Sequence, residues 1–377
     1  MSFMQKTQVL RSLIVDIVDP FTNAQVAEEN LNELKSLVRT YGSIDMGHII
    51  QHRMKPDKNT FIGSGKLQEI YQIVHDEKIN IVVLNAIVKP TQLFHITKIL
   101  WGVNPDIEVW DRIDLILHIF EKHATTAESK LQIEIARMNH MGPRISGLGG
   151  TLFSRQSGGV GGRGQGETNT ELMKRHWRTA IKTKRDELAK HADLRRTQLE
   201  RRKMMGIRHV ALVGYTNAGK TTLFNALTGK HKVMKDALFV TLDTTIGKVH
   251  LASPSAKEIT ISDTIGFIQN LPPALIETFK STLMEAIHAD VILHVADVTD
   301  EKRDMKIEVV QQILSEIGAE NVPQILVFTK ADLLPEERWI EFAQLKKRYE
   351  QFSPLFISST EKINTDKLTA TILERVK

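Results

Sequence analysis

Short runs of β-branched and aliphatic residues alternate with longer stretches of helical spacing through the first third of the chain. Val9 to Val18, Ile79 to Leu84 and Ile107 to Val109 carry the runs expected of strands. Between them, Glu28 to Tyr41 sets Leu31, Leu34 and Val38 three and four apart, and Leu67 to Val74 and Thr91 to Leu100 predict two more helices. Alternating strand and helix predict a small parallel α/β subdomain over residues 1–111.

The pattern then changes. Leu131, Ile135 and Met138 form one apolar stripe, and Trp177, Ile181, Leu188, Ala192 and Leu199 follow at steps of four and seven. Lys184, Arg185 and Arg195 crowd that second seam, which argues against a self-sufficient coiled coil. Two antiparallel helices over residues 112–206 are the simplest reading. Between them, residues 142–167 hold ten glycines in 26 positions. Such density predicts a long irregular loop rather than a helix or strand. From Ile207 to Lys377 strand and helix alternate again. The strands are read at His209 to Gly214, Ile259 to Asp263, Val291 to Asp297, Gln324 to Thr329 and Leu355 to Ser358, with a helix opening at Lys220.

Length and composition narrow the class. A chain of 377 residues, 41% hydrophobic and 25% charged, fits two or three globular domains. The absence of cysteine excludes disulfides and thiolate metal sites. No uncharged apolar run approaches the roughly 20 residues of a membrane span, and Met1 to Asp16 lacks the layout of a signal peptide. A cytoplasmic monomer is the expectation.

The chemistry lies at the strand ends of the third region. Gly214-Tyr215-Thr216-Asn217-Ala218-Gly219-Lys220-Thr221, with Thr222 behind it, joins a strand to a helix as a phosphate-binding loop does. Its backbone N–H groups would surround phosphates at the positive end of the helix dipole. Lys220 would reach the β- and γ-phosphates, and the Thr221 hydroxyl would bind Mg²⁺. Asp263-Thr264-Ile265-Gly266 ends the next strand. Asp263 would hold Mg²⁺ through water, and the Gly266 N–H would approach the γ-phosphate. Thr329-Lys330-Ala331-Asp332 ends a later strand. The Asp332 carboxylate can accept from the guanine N1 and N2 hydrogens, which adenine lacks, while the Lys330 stem covers the base. Most GTPases carry Asn where this chain has Thr329, so a weaker tether between loops is expected. Ser358 and Ser359 stand where a further loop closes on the base. Thr241 could complete the Mg²⁺ shell; by spacing alone, Thr244 and Thr245 are rivals.

Two residues bear on turnover. Phe267 stands where many GTPases place a water-orienting glutamine, which predicts slow intrinsic hydrolysis; Gln269 lies two residues late. Asn217 has two readings: it helps hold K⁺ against the phosphates, or it only shapes the loop.

Taken together, Tyr215 to Lys220, Leu238-Phe239-Val240-Thr241-Leu242-Asp243 and Asp263 to Ile268 resemble the HflX-type GTPases of the Obg–HflX group. So do Ser154 to Gly161 with Arg163 to Glu167 in the glycine-rich segment, and Phe61 to Lys66. The resemblance covers nearly the whole chain. It implies an N-terminal α/β subdomain, a two-helix subdomain and a G domain at 207–377. It also implies binding to the large ribosomal subunit and its rRNA, and splitting of stalled or idle ribosomes under stress. By the family motif Thr241 is the switch threonine, with Phe239 and Val240 beside it at the nucleotide. Lys220, Thr241 and Gly266 are then the expected catalytic set. The chain departs from the family at Asp243-Thr244-Thr245-Ile246-Gly247, where Asp-Pro-Thr-Thr-Arg is usual, at Gly162 and Gln165, and at Thr329. These departures keep open a GTP-gated RNA-binding module with negligible hydrolysis, a divergent paralogue.

Charge supports the RNA reading. Lys174 to Lys203 carries twelve cations against four anions, a local excess larger than the +5 of the whole chain. A basic helix beside a loop bearing Arg144, Arg155 and Arg163 suits phosphate contact and stacking on unpaired bases, the bland alternative being a solvated face. Three other features are set aside. Gly63-Ser64-Gly65-Lys66 lacks P-loop spacing. Gly159 to Gly164 has no preceding strand. His118 and His123 lack a ligand pattern, so no metal is expected there, and His288 and His294 are expected in packed structure.

Overall fold

The computed structural model describes residues 9–153, 169–230, 239, 243–249, 258–264, 266–268, 273–279, 283–335, 338 and 340–376. The chain divides into two compact units. Residues 1–122 and 133–186 form the first, residues 123–132 and 187–377 the second.

In the first unit, strands β1 (Arg11–Val18), β2 (Ile44–His52), β3 (Ile81–Leu84) and β4 (Glu108–Asp111) make a parallel sheet of order β2-β1-β3-β4. Helices α1 (Ala24–Tyr41), α2 (Ser64–Asp76) and α3 (Pro90–Leu100) connect them. β2 escaped the sequence reading. Its exposed and half-buried edge face breaks the apolar run, and its pairing with β1 slips between Ser12 and Ile14. Leu13, Val15, Leu67, Ile70, Val82 and Ile96 form the centre of its core. α1 starts on the Asn23 side chain, which accepts the Gln25 N–H at 2.8 Å, and stops at Gly42 in left-handed conformation (φ 89°).

α4 (Arg112–His123), α5 (Ala127–Phe153) and α6 (Asn169–Met204) follow. The expected seam is present: Trp177, Ile181, Leu188, Ala192 and Leu199 are each half-buried. In the first unit Trp177 Nε1 donates to the Met138 carbonyl at 3.1 Å and Lys184 pairs with Glu134 at 2.7 Å. Later residues of α6 thus meet earlier residues of α5, as antiparallel helices do. In the second unit Arg195 pairs with Glu128 at 2.6 Å. Of the three cations that crowd the seam, Lys184 and Arg195 thus have carboxylate partners, and Arg185 donates to the Asn139 side-chain oxygen at 3.5 Å.

One expectation is corrected. The glycine content predicts a loop over residues 142–153, yet α5 continues through them to Phe153. Once a helix is nucleated, each added residue gains a hydrogen bond, which offsets a glycine penalty of about 1 kcal/mol. Gly142 also has a packing role. A Cβ there would lie 2.9 Å from the Trp177 indole nitrogen. The rest of the glycine-rich segment, 154–167, lies outside the described residues, with Arg155 and Arg163.

The second unit contains a six-stranded sheet of order β10-β9-β8-β5-β7-β6. Its strands are β5 (Arg208–Gly214), β6 (Thr245–Lys248), β7 (Ile259–Asp263), β8 (Val291–Asp297), β9 (Gln324–Thr329) and β10 (Leu355–Phe356). All pairings are parallel except β6 on β7. Helices α7 (Lys220–Thr228), α8 (Pro273–Thr278), α9 (Met284–Ile287), α10 (Arg303–Ile317), α11 (Ile340–Arg348) and α12 (Thr365–Arg375) complete it. The antiparallel β6 was also missed; only Gly247 of its four residues is buried, so it lacks an apolar run. Strand order reverses at β5, which has β8 on one side and β7 on the other. The crevice beyond its C-terminal end is where doubly wound sheets bind ligands.

Candidate functional site

The residues singled out in the sequence gather at that crevice. β5 ends at Gly214, β7 at Asp263, β8 at Asp297 and β9 at Thr329. Gly214 is required by crowding: a Cβ would sit 2.3 Å from the Val295 carbonyl oxygen on the paired strand. The loop then turns through Asn217 (φ 61°) and Gly219 (φ 88°), both left-handed, before α7 begins at Lys220. Asn tolerates that conformation better than most side chains, which supports its loop-shaping role. Tyr215, Thr216 and Ala218 are buried, Asn217 is exposed, and Thr222 is half-buried on α7.

Lys220 is buried, and its Nζ donates to the carbonyls of Gly214 (3.1 Å) and Tyr215 (2.7 Å). Burial lowers its pKa from 10.5 to about 8, against the opposing charge of Asp263. The Thr221 hydroxyl donates to Asp263 Oδ2 at 3.0 Å, and Asp263 is fully buried. Two oxygen ligands thus converge beside the start of a helix, a donor set that fits a small hard cation. Gly266 closes this side. A Cβ there would lie 2.8 Å from Thr216 Cγ2 and 3.0 Å from Lys220 Nζ.

Phe267 is buried, and its backbone exchanges hydrogen bonds with the phosphate loop. The Thr216 N–H donates to its carbonyl at 2.8 Å, and its own N–H donates to Gly214 at 3.1 Å. It is a packing residue. Phe239 is also buried and left-handed (φ 58°). Val240, Thr241 and Gln269 lie outside the described residues. Thr245, one of the rivals to Thr241, is the first residue of β6 and pairs with Asp263; the other, Thr244, immediately precedes it.

The base-side residues lie past β9. Lys330 is left-handed (φ 57°), with Nζ 2.7 Å from Asp297 Oδ2, and Asp332 is exposed. Thr329 does tether its neighbours. Its hydroxyl donates to the Ala218 carbonyl at 2.7 Å, with the Ala296 carbonyl at 3.2 Å, so it ties the two loops directly. Ser358 is buried. Its hydroxyl accepts the Glu361 N–H at 3.1 Å, and Ser359 adjoins it. The Ile357 carbonyl accepts the Ala331 N–H at 3.1 Å, holding that loop against the Lys330–Asp332 turn.

Several features had no sequence signal. Asp243 accepts hydrogen bonds from Thr125 and Thr126, more than a hundred residues away in the chain. At the opposite end of β5, Glu285 meets His209 at 2.9 Å and Arg202 at 3.2 Å. Burial would raise the Glu285 pKa, but the His209 hydrogen bond and the Arg202 charge hold it below the ordinary value. In the first unit, Asp111, Asp114 and His140 bring ligand-type atoms within 4.8 Å of one another, although no carboxylate–histidine pattern was visible. Asp111 and Asp114 reciprocally accept each other's N–H at 2.9 and 3.1 Å, capping α4. Of the histidines expected in packed structure, His294 is buried and His288 is exposed, a correction: it lies just past the end of α9. Gly63–Lys66 opens α2, and Lys66 pairs with Glu69 at 2.6 Å.

A doubly wound sheet carrying a phosphate loop, a buried carboxylate on the adjacent strand and a guanine-type Asp332 turn defines a P-loop GTPase. Comparison with known proteins gives the family. Residues 28–121 match the GTP-binding GTPase N-terminal family, 123–202 the GTP-binding GTPase middle region, and 209–330 the 50S ribosome-binding GTPase family. The GTPase HflX of Caldanaerobacter subterraneus is 44% identical over 86% of this chain and 73% of its own length. That of Escherichia coli is 37% identical over 82% and 70%. The chain belongs to the HflX family of GTPases. A GTP-binding protein from Sulfolobus solfataricus in complex with GDP, 24% identical over 97% of this chain and 99% of its own, has a TM-score of 0.50 and shares the fold. Among the described residues no helix is long and apolar enough to cross a membrane.

Proposed function

We propose that the chain hydrolyses GTP in a cycle timed by the large ribosomal subunit, in the cytoplasm, and that this cycle serves to split or rescue ribosomes. The observation that carries the hydrolytic part is the Thr221–Asp263 pair, buried beside a phosphate loop. In this reading Gly214 to Thr222 bind the phosphates through backbone N–H groups and the Lys220 ammonium. Thr221, Asp263 and Thr241 hold Mg²⁺, which when bound neutralises phosphate charge. The Gly266 N–H meets the γ-phosphate. Asp332 selects guanine, Lys330 covers the base, and Thr329, Ser358 and Ser359 fix the surrounding loops, with Phe239 and Val240 flanking Thr241. Asn217 holds K⁺ or shapes the turn.

Phe267 offers no polar group for the attacking water, so unstimulated turnover is slow and a partner completes the site. The ribosomal part is supported by α6, most of whose basic residues are exposed, and by the 50S-binding description of the matching family. Binding through such a surface weakens steeply with salt because counterions are released.

The test is multiple-turnover GTP hydrolysis with and without purified large subunits, in K⁺ and in Na⁺, with Lys220→Ala as control. Stimulation that disappears in the variant is expected. Tight GTP binding with no stimulation would instead indicate a GTP-gated RNA binder. Equal rates in the two buffers would remove the K⁺ role.

A further inference from the structure

Asp243 stands two residues beyond Thr241 and two before β6, whose first residue Thr245 pairs with Asp263. Its carboxylate is gripped from one side. Oδ2 accepts the N–H groups of Thr125 (2.8 Å) and Thr126 (3.2 Å) and the Thr125 hydroxyl (2.5 Å), while Oδ1 accepts the Thr126 hydroxyl (2.6 Å). Four hydrogen bonds nearly fill the capacity of two carboxylate oxygens. The receiving end is itself built. Thr126 caps α5: its Oγ1 accepts the Ser129 N–H at 3.2 Å and its carbonyl accepts the Lys130 N–H at 3.2 Å. A negative charge at the start of a helix is favoured by the helix dipole as well. All these residues belong to the second unit.

We propose that Asp243 is a positioning residue for GTP hydrolysis, pinning the segment that carries Thr241 to the first turn of α5. The inference rests on Thr241 acting as the metal-binding switch residue. Pinned at Asp243, Thr241 can range no more than about 7 Å from a fixed point, the span of two extended residues. Holding Asp243 shortens the free span over which Thr241 must be placed at the γ-phosphate, and a shorter span costs less to fix. GDP, which lacks the γ-phosphate, does not call on Thr241. Loss of the pin therefore falls on kcat and spares GDP affinity.

The experiment measures GTP hydrolysis and GDP affinity on the full chain for Asp243→Ala, Asp243→Asn, Thr125→Val/Thr126→Val, the triple variant and Thr241→Ala. Asp243→Ala is expected to lower kcat about tenfold with GDP affinity within about twofold of wild type, which also reports an intact fold. Asp243→Asn recovers most of the rate, because its amide oxygen accepts the backbone N–H groups and its nitrogen donates to Thr126. The triple variant is no slower than Asp243→Ala, since both changes remove one interaction. If Thr241→Ala abolishes turnover but Asp243→Ala runs at or above the wild-type rate, the pin is overturned and the switch assignment stands. If Thr241→Ala turns over normally, the switch assignment fails and the pin with it.

Discussion

The Thr221 hydroxyl lies 3.0 Å from the Asp263 carboxylate, although the two are 42 residues apart in sequence. β5 and β7 are neighbours in the sheet, so the first turn of α7 and the last residue of β7 emerge side by side. Removing either oxygen should be felt mainly after GTP has bound. We expect Asp263→Ala to slow hydrolysis by at least about a hundredfold. Thr221→Ser, which keeps the hydroxyl, should stay within about tenfold of wild type. Single-turnover assays across a Mg²⁺ titration check this; a wild-type rate for Asp263→Ala would refute the metal assignment.

Guanine selection should reside in Asp332. Its carboxylate offers two acceptors to the N1 and N2 hydrogens of guanine. Asp332→Asn replaces one acceptor with a donor, which suits the O2 carbonyl of xanthine instead. GTP affinity should fall by about tenfold or more and xanthosine triphosphate affinity should rise. Competition binding with the two nucleotides reads both.

Lys220 gives the nucleotide affinity a pH dependence. Burial lowers its pKa to about 8 in the free protein, while phosphate oxygens favour the charged form. Above pH 8, binding must take up a proton. Affinity for GDP should be level from pH 6.5 to 7.5 and decline toward tenfold per pH unit beyond 8. Lys220→Arg, charged throughout, should flatten the curve whatever its absolute affinity. An affinity unchanged between pH 7 and 9 in the wild type would contradict this.

His294 gives stability a pH dependence of its own. Burial, aided by the nearby Lys220 charge, pushes its pKa down to about 3. In the unfolded chain the same group titrates near 6.5. Below that pH the unfolded state binds a proton that the folded state refuses. The stability contribution is complete above 6.5 and is lost as pH falls toward 3, by up to about 1.4 kcal/mol per pH unit. Melting curves at pH 7 and 5 should separate less for His294→Gln, which keeps an acceptor for Gln311, than for wild type.

The sequence disclosed the strands of the second unit well where each is a buried apolar run, as in β5, β8 and β9. It failed at β2 and β6, which lie at sheet edges and expose one face. It also failed at residues 142–153, where glycine content outweighed the fact that a helix was already running. Within the site, Lys220 and Thr221 were legible because spacing along a strand–loop–helix unit fixes where their atoms go, and Asp263 because it ends a buried apolar strand. Asp243 was not, since its partners Thr125 and Thr126 are ordinary threonines whose meaning comes only from tertiary proximity. Thr329 was legible as a departure from the usual Asn, but the reach of its hydroxyl to Ala218 required the packed loops.

That Thr329 bond has a mechanical meaning. The strand end that leads to the Lys330–Asp332 turn is fastened to the phosphate loop by a bond 2.7 Å long. In the proposed reading the two loops would act as callipers of fixed gauge. A ligand would then be measured by the distance between its ring and its phosphates as well as by its edges, and one of the wrong length would fill either side but not both.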